Sequence, residues 1–109
     1  MNHYTDLAGY NGIRATVDWL FKAHQPPGSH PFGAYFTTLQ RGTPNLAARL
    51  RIPKSKLQYV FEFTDAGDLR PLPGGRGQFI FYSPADYNVV KSRQLYAGVT
   101  SISWAAGLT

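Results

Sequence analysis

Two segments rich in proline and glycine, residues 25–32 (QPPGSHPF) and 71–77 (PLPGGRG), interrupt this chain and limit the length of its helices and strands. Proline fixes φ and lacks a backbone N–H, so neither segment can continue a helix or occupy the middle of a sheet. We find no internal repeat, heptad pattern or low-complexity tract elsewhere. The chain must therefore fold from short elements joined by loops.

Local patterns predict two helices and several strands. Asp6 is a good N-cap for a helix from residue 7 to about residue 16. Thr43 is the expected cap of a second helix that begins at Pro44 and runs to about Leu50. The alternation of residues 57–64 (LQYVFEFT) predicts a strand with one half-buried face. Further β segments are predicted at residues 3–5, 19–21, 33–39, 78–82, 87–90 and 95–104.

These elements predict an α+β fold with a mixed or antiparallel sheet and one or two short helices. The 109 residues are enough for one domain, which we place at 1–109. Because the chain has no cysteine, disulfides, cysteine-ligated metal sites and a thiol nucleophile are excluded.

The sequence also indicates the environment in which the protein is expected and the charge of its partners. No apolar run reaches the roughly 20 residues of a membrane-spanning helix, and the opening MNHYTDLAGY is unlike a secretory signal. We therefore expect a soluble protein with no membrane contact. Eleven Lys and Arg against six Asp and Glu give a net charge of +5, which favours an anionic ligand or an acidic partner.

Three motifs contain the candidate chemistry: HYT with His3, GAYFT with Tyr35, and ADYNVV with Asp86. Their order, with a helix and a Pro/Gly loop between the first two, resembles the ADP-ribosyltransferase superfamily. The segments HYTDLAGYNGI and GAYFTTL closely resemble its His-Tyr-Asp group, which is found mostly as toxin or effector domains. Poly(ADP-ribose) polymerases and diphtheria-like toxins share the same skeleton with Glu at the third position. The resemblance covers almost the whole chain in order.

The resemblance implies a split sheet, NAD as substrate and no metal. Backbone groups of Tyr4 would hold the carboxamide of NAD, while His3 and Thr5 would reach the ribose hydroxyls. Tyr35 would stack on the nicotinamide ring. Asp86 would bind the ribose 2′-hydroxyl and stabilise the positive charge that grows as nicotinamide leaves. The resemblance thus predicts His3, Tyr35 and Asp86 as the catalytic residues.

The remaining expected contacts to NAD lie in the same motifs and in nearby basic residues. Phe32 would supply a second aromatic wall, and Phe36 follows Tyr35 in its motif. Glu62 and Asp65 are the alternatives to Asp86 as the acid. Candidates for the diphosphate are Arg41, Arg49 and Arg76, together with backbone N–H groups of residues 71–77.

Other polar residues have ordinary explanations. His24 and His30 flank the first proline-rich loop, and without helical i, i+4 spacing or a nearby carboxylate we interpret them as loop histidines. A basic run is most simply a solvated face, although it could contact an acidic macromolecule. That run consists of Arg49, Arg51, Lys54 and Lys56.

Two classes of function remain open. The first is a mono-ADP-ribosyltransferase that modifies a protein or a nucleic acid, with an NAD glycohydrolase as its variant. The second is a basic module that binds single-stranded nucleic acid by stacking bases on exposed aromatic side chains. The candidate stacking residues are Tyr59, Phe61, Phe63, Phe79 and Phe81.

The resemblance also bears on partners. Members of the group often end large delivered toxins, so delivery into a target-cell cytosol and an immunity protein are expected by analogy alone. We expect the chain itself to be a monomer.

Overall fold

The chain folds into short strands and two short helices, as the positions of proline and glycine predict. The computed structural model describes residues 1–101, apart from the side chains of residues 76 and 77. Single 3-10 turns lie at Lys54–Leu57, Gly75–Gln78 and Lys91–Arg93. The strands are β1 (Asn2–Thr5), β2 (Trp19–Phe21), β3 (Ala34–Thr37), β4 (Tyr59–Phe63), β5 (Arg70–Pro71), β6 (Ile80–Ser83), β7 (Tyr87–Val89) and β8 (Gln94–Val99), and the helices are α1 (Leu7–Arg14) and α2 (Leu46–Leu50).

The strands form two antiparallel sheets. The larger has the order β5-β6-β3-β1-β4-β8, and β2 pairs with β7 in the smaller. Every strand pair assigned within the described residues is antiparallel. The α+β prediction is confirmed at this level. None of the described helices is long and apolar enough to cross a membrane.

The two predicted helix caps have different outcomes. Asp6 caps α1 as expected, because its carboxylate accepts a hydrogen bond of 2.9 Å from the Gly9 N–H. Thr43 does not cap α2: its hydroxyl donates to the carbonyl of Gln40 at 2.6 Å and closes the preceding turn. Asn45, at φ 58°, precedes α2 without a side-chain cap. The second helix is therefore shorter than predicted, since the turn holds residues 43–45 out of it.

Strand β4 is the centre of the core and is covered on both faces. Val60 and Phe61 point to opposite sides of the sheet, and both have an exposed fraction of 0%. The alternation predicts one half-buried face; the structure adds that Val60 on the opposite face is also buried, in the core under α2. The core on the face of the smaller sheet includes Trp19, Phe21, Phe36, Phe61, Phe63, Tyr87 and Val89, and the core under α2 includes Tyr4, Leu46, Leu50, Val60, Leu72 and Ile80.

The ends of the large sheet depart from the predicted pattern. Strand β5 lies where a loop was expected; its Pro71 is tolerated because β5 is an edge strand. At the other edge, β8 ends at Val99, and residues 102–104 of the predicted last strand lie outside the described residues.

Candidate active site

Strands β1 and β3 are neighbours in the sheet, but their pairing is short. Within the described residues they pair at a single position, Asn2 with Thr37. On its other side, β1 follows β4 along its whole length. A gap therefore opens between β1 and β3 after Asn2.

The backbone polar groups of Tyr4 face this gap. Met1 and Phe63 exchange two hydrogen bonds, of 2.8 and 3.0 Å, which directs the backbone groups of Met1 toward β4. Because these directions alternate along an antiparallel strand, the N–H and C=O of Tyr4 point toward β3. The Tyr4 side chain is occupied elsewhere, since its hydroxyl donates to the Leu39 carbonyl at 2.8 Å. Only the backbone of Tyr4 can serve a ligand in the gap.

The His3 ring bridges the gap. Its Nδ1 lies 2.9 Å from the carbonyl oxygen of Tyr35, and its centroid is 4.8 Å from that of Phe21 and 5.6 Å from that of Phe36. Burial lowers the pKa of His3 to about 4, although the bond to Tyr35 acts in the opposite direction. The imidazole is therefore neutral at pH 7. Because a carbonyl can only accept, Nδ1 carries the proton and Nε2 is left as a hydrogen-bond acceptor.

A cleft of about 600 Å³ lies along the gap. Residues 2–5 and 35–37 of the two diverging strands line it. The proline-rich loop contributes His24 and His30, and the segment after α2 contributes Arg51 and Lys56. No carboxylate is among the described residues that line this cleft, so it suits an anionic ligand.

Tyr35 is fixed as one wall of the cleft. Its ring stacks on that of Tyr82, with centroids 5.7 Å apart and an angle of 20° between the planes, and meets His24 edge-on at 6.4 Å. Its hydroxyl donates to the Pro31 carbonyl, which ties the ring to the loop. Burial raises the pKa of this hydroxyl, and Tyr82 raises it further. Tyr35 is therefore a neutral, rigid aromatic surface.

The loop returns to β3 through a tight contact at Gly33. His24 and Gly33 exchange two backbone hydrogen bonds, of 3.0 and 2.9 Å. A Cβ atom at Gly33 would lie 2.5 Å from the Ser83 carbonyl oxygen, too close for any other residue without a backbone shift. The glycine thus sets how closely the loop approaches the sheet.

Not every residue expected to bind NAD presents its side chain to the cleft. Thr5 lines the cleft and is buried. Phe36 has an exposed fraction of 3% and packs edge-on against Phe21 and Phe63, so its ring belongs to the core. Phe32 is about half exposed and is not among the lining residues.

The three candidate acids lie in different places. Asp86 is exposed and accepts a hydrogen bond of 2.8 Å from the N–H of Ala23, the neighbour of His24. Glu62 forms an ion pair with Arg41 at 2.9 Å, and Asp65 is exposed in a left-handed turn after β4. Asp86 is therefore the acid that is bonded beside a residue of the cleft.

Two of the three arginines expected to bind the diphosphate, Arg41 and Arg49, are not at the cleft. Arg41 lies over the Tyr96 ring at 3.9 Å and, with Glu62, lines a separate pocket of about 380 Å³. Arg49 lies 5.6 Å from the Phe79 ring, and the Arg76 side chain lies outside the described part of the chain. The described cations at the cleft are Arg51 and Lys56, for which the sequence pattern predicts a solvated face. The absence of any Asp or Glu between Asp18 and Glu62 was a signal in the sequence that could have identified them.

Comparison with protein-family models, curated proteins and solved structures gives no match. The described residues also contain no group of three or more His, Asp or Glu side chains arranged to hold a metal ion. The interpretation of the cleft therefore rests on the chemistry of its own residues.

Proposed function

We propose that this protein is an NAD-dependent mono-ADP-ribosyltransferase with a split-sheet fold of that superfamily. It would break the bond between nicotinamide and ribose and transfer ADP-ribose to a macromolecule. The bond from His3 to the Tyr35 carbonyl, across the gap between β1 and β3, is the observation that carries this proposal. It places an acceptor nitrogen, a backbone donor and acceptor and an aromatic ring around one cleft.

The gap has the chemistry that nicotinamide requires. A carboxamide offers one N–H donor and one C=O acceptor side by side, which complement the backbone C=O and N–H of Tyr4. The flat ring would stack on Tyr35, which is already held by Tyr82 and Pro31. Nicotinamide would thus take the place of a strand partner that β1 lacks at this position.

The ribose would lie beside His3 and Thr5. A neutral His3 accepts a hydrogen bond from a ribose hydroxyl through Nε2, which a protonated imidazole could not do. As the C1′–N bond breaks, its electron pair passes to nicotinamide and neutralises the pyridinium charge. A lone pair of the acceptor then bonds to C1′, and the acceptor atom releases its proton to solvent.

Asp86 is the acid that would stabilise the positive ribose in this step. Asp86 does not itself line the cleft, but its bond to the Ala23 N–H holds it beside His24, which does. A ribose bound beside His3 and Thr5 would therefore have to extend toward His24 to reach this carboxylate. Arg51 and Lys56 would bind the diphosphate. Lys56 already pairs with Asp6 at 2.6 Å, and it can add a phosphate oxygen because an ammonium has three donors.

The alternative of a module that stacks nucleic-acid bases on the sheet has less support. Phe61 and Phe63 have exposed fractions of 0%, and Tyr59 stacks on Tyr10 with centroids 4.6 Å apart. Phe79 and Phe81 are partly buried. A base cannot stack on a ring that is fully buried, and Tyr10 already covers one face of Tyr59.

Incubation of the purified protein with NAD tests the proposal. Release of free nicotinamide, measured with and without a cell lysate, is the expected result. Label from the ADP-ribose part on protein or nucleic acid indicates a transferase, and its absence indicates a glycohydrolase. His3→Asn is the matched control, because it retains a donor toward Tyr35 and removes Nε2. No nicotinamide release in any condition, with no heat of NAD binding, would overturn the proposal.

A further inference from the structure

Four cations lie within eight residues, from the end of α2 to the 3-10 turn at Lys54–Leu57. We call this surface the basic ridge, and all four of its side chains are exposed. We propose that the basic ridge binds the phosphate backbone of a single-stranded nucleic acid, which is the acceptor of ADP-ribose; the acceptor role rests on the proposed function. The residues of the basic ridge are Arg49, Arg51, Lys54 and Lys56.

The basic ridge has more positive charge than its acidic neighbours compensate. The ion pairs of the described residues are Arg41 with Glu62 and Lys56 with Asp6. Arg51 and Lys54 have no acidic partner among the residues that the structure describes. Asp6 compensates Lys56, and the charges of Arg51 and Lys54 remain, so the basic ridge has a local positive charge that favours a polyanion.

The basic ridge extends from the cleft to the outer surface. Arg51 and Lys56 line the cleft, whereas Lys54 is not among the lining residues. The backbone between them is held by specific contacts: the N–H of Arg51 donates to the Ala48 carbonyl at 3.3 Å, and that of Lys56 donates to the Pro53 carbonyl at 2.9 Å. The diphosphate of NAD in the cleft, at Arg51 and Lys56, followed by the phosphates of an acceptor strand at Lys54, fits this arrangement.

The location of the basic ridge favours a single strand over a duplex. In a duplex, the nucleophilic atoms of the bases lie inside the stack and reach an enzyme cleft only after the nucleotide is flipped out. In a single strand, a base can enter the cleft while phosphates on either side contact the cations. Regularly repeated phosphates also match a run of cations better than scattered carboxylates on a protein surface do.

Binding of a fluorescently labelled single-stranded oligonucleotide, without NAD, tests the basic ridge directly. We expect affinity to fall as salt is raised, and Lys54→Glu to weaken binding about tenfold and to reduce the salt dependence by roughly one phosphate contact. The matched control is Lys91→Glu, the same change of charge at an exposed lysine on the turn before β8. It should alter affinity less than about twofold. Absence of binding, or equal effects of the two variants, overturns the proposal.

A second measurement separates this inference from the proposed function. Nicotinamide release in the absence of acceptor should be the same for wild type and Lys54→Glu, because Lys54 lies outside the cleft. With labelled NAD, an excess of oligonucleotide and an acidic protein as competitor, the label should appear on the oligonucleotide and decrease in Lys54→Glu. Label on the protein instead overturns the acceptor assignment. Oligonucleotide binding that depends on Lys54, without nicotinamide release, overturns the enzymatic proposal but supports the nucleic-acid surface.

Discussion

The imidazole of His3 donates from Nδ1 to the backbone carbonyl of Tyr35 at 2.9 Å, at a point where their strands no longer pair with each other. The His3 side chain thus supplies a hydrogen bond between β1 and β3 where the backbone pairing of the two strands has ended. The two ring nitrogens have different roles, because Nδ1 binds the Tyr35 carbonyl and stabilises the fold, whereas Nε2 is left as a hydrogen-bond acceptor. Substitutions at His3 can therefore separate stability from activity.

The substitution His3→Asn should preserve the fold and remove the activity. The asparagine amide nitrogen can occupy the place of Nδ1 and donate to Tyr35, whereas no atom replaces Nε2. We expect a loss of less than about 1.5 kcal/mol in the free energy of unfolding and a loss of about 100-fold in nicotinamide release. His3→Ala should lose both stability and activity. Urea unfolding and NAD turnover measure the two effects, and full turnover by His3→Asn would exclude Nε2 from the reaction.

The partly buried His3 should make the fold sensitive to mild acid. Its pKa is about 4 in the folded protein, against 6.5 for a histidine exposed to water, so between these pH values the unfolded chain binds more protons. With respect to His3, the free energy of unfolding is therefore at its full value above pH 6.5. It decreases as the pH falls toward 4, by at most on the order of 3 kcal/mol. The difference between wild type and His3→Asn in urea unfolding at several pH values isolates this effect. A difference that does not change with pH would show that His3 titrates normally.

Tyr35 should contribute to both substrate binding and rate. Tyr35→Ala removes the wall for the nicotinamide ring, and since a stacked ring helps ground state and transition state alike, KM should rise and kcat fall. Tyr35→Phe keeps the ring but loses the hydrogen bond to Pro31, at a cost of about 1 kcal/mol in stability. Steady-state kinetics with NAD compare the two variants. An unchanged KM in Tyr35→Ala would assign the ring to packing alone.

Asp86 can be tested without disturbing its backbone contact. In Asp86→Asn the side-chain oxygen still accepts from the Ala23 N–H, while the negative charge is lost. Nicotinamide release should fall about 100-fold or more with little change in thermal stability. Glu62→Gln, which removes a charge near Arg41 and away from the cleft, is the control and should retain activity. The reverse pattern would move the acid to Glu62.

Two glycine substitutions should have opposite effects on stability. Gly33→Ala places a Cβ 2.5 Å from the Ser83 carbonyl oxygen, so the backbone must shift, and we expect a loss of about 2 kcal/mol or more. Gly12→Ala lies in α1 with no atom within 4 Å of the added Cβ, and should add about 0.5 to 1 kcal/mol. Thermal unfolding measures both. A neutral Gly33→Ala would mean that the loop can move away from the sheet.

The features that could be predicted from the sequence depend on interactions between residues that are close together in the chain. Asp6 caps α1 because its partner Gly9 is three residues away, so the pattern itself contains the interaction. The strand over residues 57–64 follows in the same way from its alternation, with bounds a few residues shorter in the structure. The covering of its second face depends on α2, and no local pattern shows which helix will pack there.

The sequence motifs indicated residues of the cleft better than the charges did. His3, Tyr4 and Tyr35 line the cleft, whereas Asp86 of the third motif does not. Arg41 is different: its guanidinium pairs with Glu62 and lies over Tyr96, residues far along the chain that the fold brings to it. Such a partner is fixed only by the register of strands β4 and β8.

The single backbone pairing between β1 and β3 divides the large sheet into two blocks, β5-β6-β3 and β1-β4-β8. Beside this pairing, the side chains of Asn2, His3 and Tyr4 join the blocks through hydrogen bonds to the carbonyls of Tyr35 and Leu39. A ligand that offers a donor and an acceptor to both blocks would act as the missing stretch of strand. Occupancy of the cleft would then make the whole molecule more rigid, so a bound ligand would also stabilise the fold.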